Sequence, residues 1–226
     1  MVGCRSHASC VMAVIDGTSI NLLAVTEAGS VRGFTGVNPM PAACVGSTCG
    51  LHLDGGATFS ALDGGTTLTG GVDAGTLLTT SVDATLPLQL RMLGSSPIVV
   101  RLRLARARLT GLSADGITSG VLAGAVTQGE IDTVLYPALV SSYAAKISRD
   151  CVPVPPNCGC AASSSGAALL GLFDAPPRDC VVTVDELRTN SLWQALFAPD
   201  VMLPDGTMAL SLGLGITAVK ASFVEP

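Results

Sequence analysis

With 226 residues the chain is long enough for one large domain, or one domain with an appendage, and long enough to bury a core without staples. Only 13% of the residues are charged, 48% are hydrophobic and the net charge is −5, which excludes a disordered chain and a generic nucleic-acid binder. No run approaches the roughly 18 uninterrupted apolar residues of a membrane-spanning helix.

The N-terminus, Met1-Val-Gly-Cys-Arg, has no apolar signal region behind it. Val2-Gly3-Cys4 matches the end of a bacterial lipobox, which would attach the chain to a membrane through a lipidated Cys4. Cys4, His7 and Cys10 form a weak ligand group at a terminus expected to fray. Residues 10–15 and 19–26 are apolar and β-branched enough for two short strands. A turn-rich link over 40–50 follows and carries Cys44 and Cys49.

From 51 to 125 the pattern is β. Runs over 66–72, 84–92, 98–110 and 117–126 are separated by Asp-Gly-Gly, Gly-Ser-Ser-Pro and Ala-Asp-Gly turns. Pro87 places its run at a sheet edge. In 98–110, Val100, Leu102 and Leu104 alternate with Arg101 and Arg103, and then Arg106 and Arg108 come in the opposite phase. A period of two changes phase only through an extra residue, so a β-bulge is expected near Ala105. Arg101, Arg103, Arg106 and Arg108 are four of only twelve basic residues. On one face they offer a patch for a phosphate, an acidic polysaccharide or lipopolysaccharide, with a solvated face as the plain alternative; the bulge is expected to split them between faces.

Residues 127–150 read as a helix with a Thr127/Glu130 capping box, an apolar stripe and a kink at Pro137. A Pro-rich loop with Cys151, Cys158, Cys160 and Cys180 follows. Two shorter helices are expected at 167–173 and 185–198. The segment between them has the outline of a calcium loop: Asp174 is first, Val181 eighth, Asp185 twelfth, with Asp179 and Glu186 as further oxygen donors. Pro176 and Arg178 stand at the third and fifth positions, where calcium takes oxygen ligands. The plain reading is a helix-loop-helix that keeps the shape without the metal, fastened by Cys180. The last strand, 208–216, changes phase at Val219, which points to a second bulge and to pairing within the sheet of 51–125.

Eight cysteines, an even number in loop-like places, read as disulfides: Cys4, Cys10, Cys44, Cys49, Cys151, Cys158, Cys160 and Cys180. Lipidation of Cys4 would leave seven, which argues against it. A Cys4 zinc site on the last four is the alternative, but their spacing lacks paired Cys-x-x-Cys knuckles. Disulfides place the chain in the periplasm, outer envelope or extracellular space, with a signal removed or the chain a truncated copy of a longer exported protein. The catalytic inventory is poor. There is no Gly-x-Ser-x-Gly, the only imidazoles are His7 and His52, and Asp185-Glu186 are explained by the dipole of the helix they open.

Three stretches carry a resemblance to a group of bacterial exported proteins and lipoproteins with no assigned activity. They are Leu112-Ser-Ala-Asp-Gly-Ile-Thr-Ser-Gly-Val-Leu-Ala-Gly-Ala-Val126, Val182-Thr-Val-Asp-Glu-Leu-Arg-Thr-Asn-Ser-Leu-Trp193, and Leu196-Phe-Ala-Pro-Asp-Val201 with Leu210-Ser-Leu-Gly-Leu-Gly-Ile-Thr-Ala-Val219. The resemblance covers roughly residues 50–223 and implies export and a β-rich domain.

The expectation is a mainly β fold with inserted helices: one antiparallel, sandwich-like domain, with 127–206 as a disulfide-bearing helical excursion. The expected role is a non-catalytic envelope or secreted module, binding or structural, without a cofactor and without a nucleic-acid partner; its partner is an envelope component or a small ligand. A calcium- or zinc-binding module and a hydrolase with an unrecognised site are the alternatives.

Overall fold

The structure, a computed structural model, describes the chain except residues 1–3, 6–8, 11–13, 17–18, 27–28, 41–54, 63, 89–97, 153–156 and 225–226; for the remaining residues up to 24, and for 39 and 88, it describes the backbone alone. The fold is mainly β with inserted helices, and it divides into two compact units. The first comprises Met1–Arg91, Ser95–Thr127 and Ser211–Pro226; the second is built chiefly of Gln128–Leu210. The helical excursion expected at 127–206 is this second unit.

Strands β1 (Cys4–Arg5), β2 (Ser9–Cys10), β3 (Val14–Asp16) and β4 (Ser19–Thr26) open the first unit. They are followed by β5 (Ser30–Met40), β6 (Thr58–Ala61), β7 (Leu68–Asp73), β8 (Thr76–Thr79), β9 (Val82–Leu88), β10 (Ile98–Thr110) and β11 (Gly116–Thr127). The long β5 was not foreseen. It switches partners along its length, pairing with β7 at Ser30 and Val31 and with β6 from Gly36 onward. The hydrogen-bonded path runs β1-β2-β4-β5-β7-β8-β10-β11. Among the described strands β9 pairs with β10 alone, the edge position expected from Pro87. The buried residues Phe34, Ala57, Phe59, Ala61, Ala221 and Phe223 form a core cluster, with the Phe34 and Phe223 rings 5.8 Å apart.

The bulge in β10 lies where the arginine phase placed it. The register with β11 shifts between Arg103 and Arg106, and that with β9 between Leu102 and Ala105. Leu104 takes φ +53°, a left-handed conformation that a side chain other than glycine adopts at a cost. Inner-face burial accordingly moves from Val100 and Leu102 to Ala105, Ala107 and Leu109. Side chains answer amides beside the interrupted ladder. Leu104 N donates to Asp83 Oδ1 at 3.1 Å, and Ala107 N donates to Thr79 Oγ1 at 2.8 Å.

In the second unit, α1 (Gln128–Glu130) passes through a π-helical segment (Ile131–Leu135) into α2 (Tyr136–Asp150). The kink expected at Pro137 takes the form of this π segment. Proline lacks the amide and its ring crowds the carbonyl four residues back, and the wider turn immediately before it relieves that crowding. Helices α3 (Ser165–Phe173), α4 (Val184–Thr189) and α5 (Ser191–Leu196) follow. The single helix expected over 185–198 is therefore broken at Asn190, whose side chain accepts from Leu192 N and donates to the Leu172 carbonyl at 3.1 Å each. Thr183 and Glu186 make a full capping box at the start of α4. Aromatic rings tie the helices together in sequence: Tyr143 stacks on Phe173, Phe173 packs on Trp193, Trp193 on Phe197, and Tyr136 meets Phe197 edge-on.

Strand β12 (Val201–Met202) pairs with the start of β13 (Met208–Val219). β13 then lies beside β11, as expected of the last strand. A Cβ on Gly116 would collide with the carbonyl oxygen of Ala218, so this approach requires glycine. On β13 itself, Gly213 and Gly215 face open space and the small-residue face is uncovered from Ser211 to Thr217, while Ala209 at its start is buried. In place of the second bulge the chain breaks after Val219 and resumes as β14 (Ser222–Val224), which pairs in parallel with β6. The phase change was real, but its cause is a change of partner.

Candidate functional site

The outer face of β10 gathers all four arginines. Without a bulge, Arg101 and Arg103 would point opposite to Arg106 and Arg108. The extra residue restores the phase, so the expectation that the bulge splits them is corrected: it is what unites them. Arg101, Arg106 and Arg108 are exposed and Arg103 is half-buried.

Their cross-strand neighbours are small and mostly neutral. Arg101 lies opposite Thr85 on β9, while Arg103 and Arg106 lie opposite Ala125 and Ala123 on β11. Arg108 sits between Val121 on β11 and Leu78 on β8, both exposed. The exception is Asp83, whose Oδ2 accepts from Arg103 Nε at 2.8 Å. The result is a file one residue wide, with same-face neighbours about 6.6 Å apart along the strand. The other eight basic residues stand against seventeen acidic ones, a balance of −9 outside the file. Guanidinium forks match carboxylates, phosphates and sulfates in two-point contacts, so the file suits recognition of anions. Asp83, Leu78 and Val121 escaped sequence reasoning because their relation to the arginines exists only in the register of the sheet.

The cysteine loop of the second unit is held by two disulfides, Cys151–Cys160 and Cys158–Cys180. These four sulfurs are bonded to one another and make no zinc-binding thiolate set. Of the remaining candidates, Cys4 and Cys10 fall opposite each other in the β1–β2 register, with side chains outside the description. Cys44, Cys49, His7 and His52 lie outside the described residues. Beside the loop, the Asp150 carboxylate accepts from Arg149 Nε at 2.7 Å and from Gly166 N at 2.9 Å. The Arg149 guanidinium first, and then the Gly166 amide, hold its carboxyl below the ordinary aspartate range. Burial pushes the Tyr136 and Tyr143 phenols above theirs.

The four carboxylates of the calcium-like segment serve as backbone and side-chain acceptors. Buried Asp174 accepts from Asp179 N at 3.3 Å and Cys180 N at 3.1 Å. Asp179 accepts from Val181 N at 3.0 Å. Glu186 accepts from Ala175 N at 2.8 Å and Thr183 N at 2.7 Å, and Asp185 pairs with Arg188. The helix-loop-helix is closed by these bonds and by the Cys158–Cys180 bridge. Among the described residues no three His, Cys, Asp or Glu side chains converge as metal ligands. A cavity of about 290 Å³ is lined by Cys158, Cys160, Leu170, Asp174 and Arg178. The carboxylate it contains is already committed to two amides.

No family model, no curated protein and no solved structure matches the chain.

Proposed function

We propose that the chain is a non-catalytic module of the cell envelope or the secreted space, and that it holds its ligand on the outer face of β10. The observation that carries this reading is the arginine file. An acidic chain with few basic residues collects a third of them on the outer face of one strand, through a bulge that costs a left-handed leucine. Scattered solubilising charge needs no such arrangement. The two disulfides of the second unit support an oxidising compartment. Among the described residues no helix is long and apolar enough to cross a membrane. The resemblance to exported proteins of bacteria points the same way.

The test is photocrosslinking in intact cells, with a photoreactive amino acid placed at Val121, beside Arg108, and as a control at the exposed Val181 of the second unit. The expected result is an adduct outside the cytoplasm from position 121 and none from 181. Absence of any adduct at 121, or the same adducts at both positions, overturns the reading.

A further inference from the structure

We infer that the ligand of this face is a linear acidic polysaccharide, laid along β10 with its carboxylate, sulfate or phosphate groups on Arg101, Arg103, Arg106 and Arg108. This rests on the reading of the β10 face as a binding surface and adds the chemistry of what it binds.

Three features of the file select the ligand. The first is its width. The positive charge follows a single strand, and its flanks in the same rows are Thr85, Ala125, Ala123, Val121 and Leu78, with Asp83 paired to Arg103. A broad anionic surface, such as a membrane, would be met by cations spread over several strands. A narrow polymer needs only a line of them. From Arg101 to Arg108 the line extends about 20 Å, several sugar-sized steps at about 3.3 Å per residue.

The second is the charge of the rest of the molecule. With a balance of −9 outside the file, the molecule as a whole repels polyanions, and only a ligand in direct contact with the file gains from it.

The third is the lack of stacking platforms among the described residues beside the file. Single-stranded nucleic acids are held by aromatic side chains on which bases stack. The described residues facing the file from β8, β9 and β11 are Thr, Ala, Val and Leu, with Asp83 beside Arg103. Nothing there reads a base. Exposed Leu78 and Val121 instead flank Arg108 with low aliphatic walls, against which the carbon face of a sugar ring can rest.

The experiment is a titration of the purified, oxidised full chain with polygalacturonate and with dextran sulfate over a range of salt concentrations. Vesicles of phosphatidylglycerol in phosphatidylcholine, and an oligothymidylate, are the competing probes. The test variant is Arg106→Gln/Arg108→Gln. Arg178→Gln, an exposed cation of the second unit, is the control. Thermal melts confirm that the variants remain folded. The expected result is binding to at least one of the two polymers. It weakens tenfold or more in the double variant and is unchanged in the control. The slope of log Kd against log salt should fall by about 2, one counterion per lost charge.

Failure of both polymers to bind overturns the inference, as does equal weakening in Arg178→Gln or tighter binding to the vesicles or the oligonucleotide. The binding reading itself fails separately. A polymer-negative chain that still crosslinks at Val121 loses the polysaccharide and keeps the surface, while one that neither binds nor crosslinks loses both.

Discussion

Leu104 and Asp150 show how single side chains hold this fold. Leu104 is in the left-handed region and 39% exposed, so glycine there relieves backbone cost and offsets the packing lost with the side chain. Leu104→Gly should leave the melting temperature unchanged or raise it, within about 1 kcal/mol. Leu102→Ala, two residues earlier and fully buried, should cost about 2–5 kcal/mol. Denaturant melts of the two variants check the contrast, and a large loss in Leu104→Gly would contradict the bulge geometry. Asp150 ties the end of α2 to the Gly166 amide at the start of α3. Because its carboxyl is held below the ordinary value, its stabilising contribution is complete above the unfolded pKa of about 4 and is lost as pH falls through the folded value. Asp150→Asn should therefore melt lower than wild type at pH 7, and the gap should narrow on acidification toward pH 2. Melts across that range would show a constant gap if the interaction were of another kind. At this scale the sequence was informative about the arginines, since Arg106 and Arg108 mark the bulge by themselves. The direction of the consequence was misread. A phase change in the sequence and an extra residue in the strand cancel, and they leave the four side chains on one face.

Helix and strand boundaries follow local chemistry, and the failures of reading follow it too. Residues 185–198 read as one helix in the sequence, opened by Asp185 and Glu186. Asn190 breaks it by capping α5 and bonding Leu172, a contact from a distant element that no local pattern announces. The Thr183/Glu186 box that opens α4 was present in the sequence as a threonine three residues before a glutamate. Thr183→Ala should cost about 1 kcal/mol and loosen the same loop, measurable as faster amide exchange in α4. The Cys158–Cys180 bridge spans 22 residues and fastens that loop from the other side. Replacing both cysteines by serine should lower stability by about 3 kcal/mol, checked by denaturant titration of the oxidised proteins. Strand existence over 98–126 was legible from alternation and turn residues. The partner switch of β5 and the parallel pairing of β14 were not, because alternation states which residues face a core and says nothing of which strand lies alongside.

At the scale of the molecule, two features reinforce a single account: a β unit that presents a narrow basic file, and a helical unit closed by disulfides and a ring of aromatic contacts. The calcium-like segment is a loop closed by hydrogen bonds from the Asp179, Cys180, Ala175, Thr183 and Val181 amides to its carboxylates. The class of fold and the insertion were readable from composition, cysteine placement and the switch from period two to helical spacing. The site was readable only as a list of arginines, because their union on one face is a property of register. The account stands on a chain that matures and works where thiols are oxidised. The most direct measurement is thiol trapping in the living source cells, followed by non-reducing peptide mass spectrometry of the chain from each cellular fraction. The account expects the chain outside the cytoplasm, with linked peptides joining Cys151 to Cys160 and Cys158 to Cys180 and no trapped thiol among the four. A cytoplasmic chain with these four cysteines alkylated would contradict it.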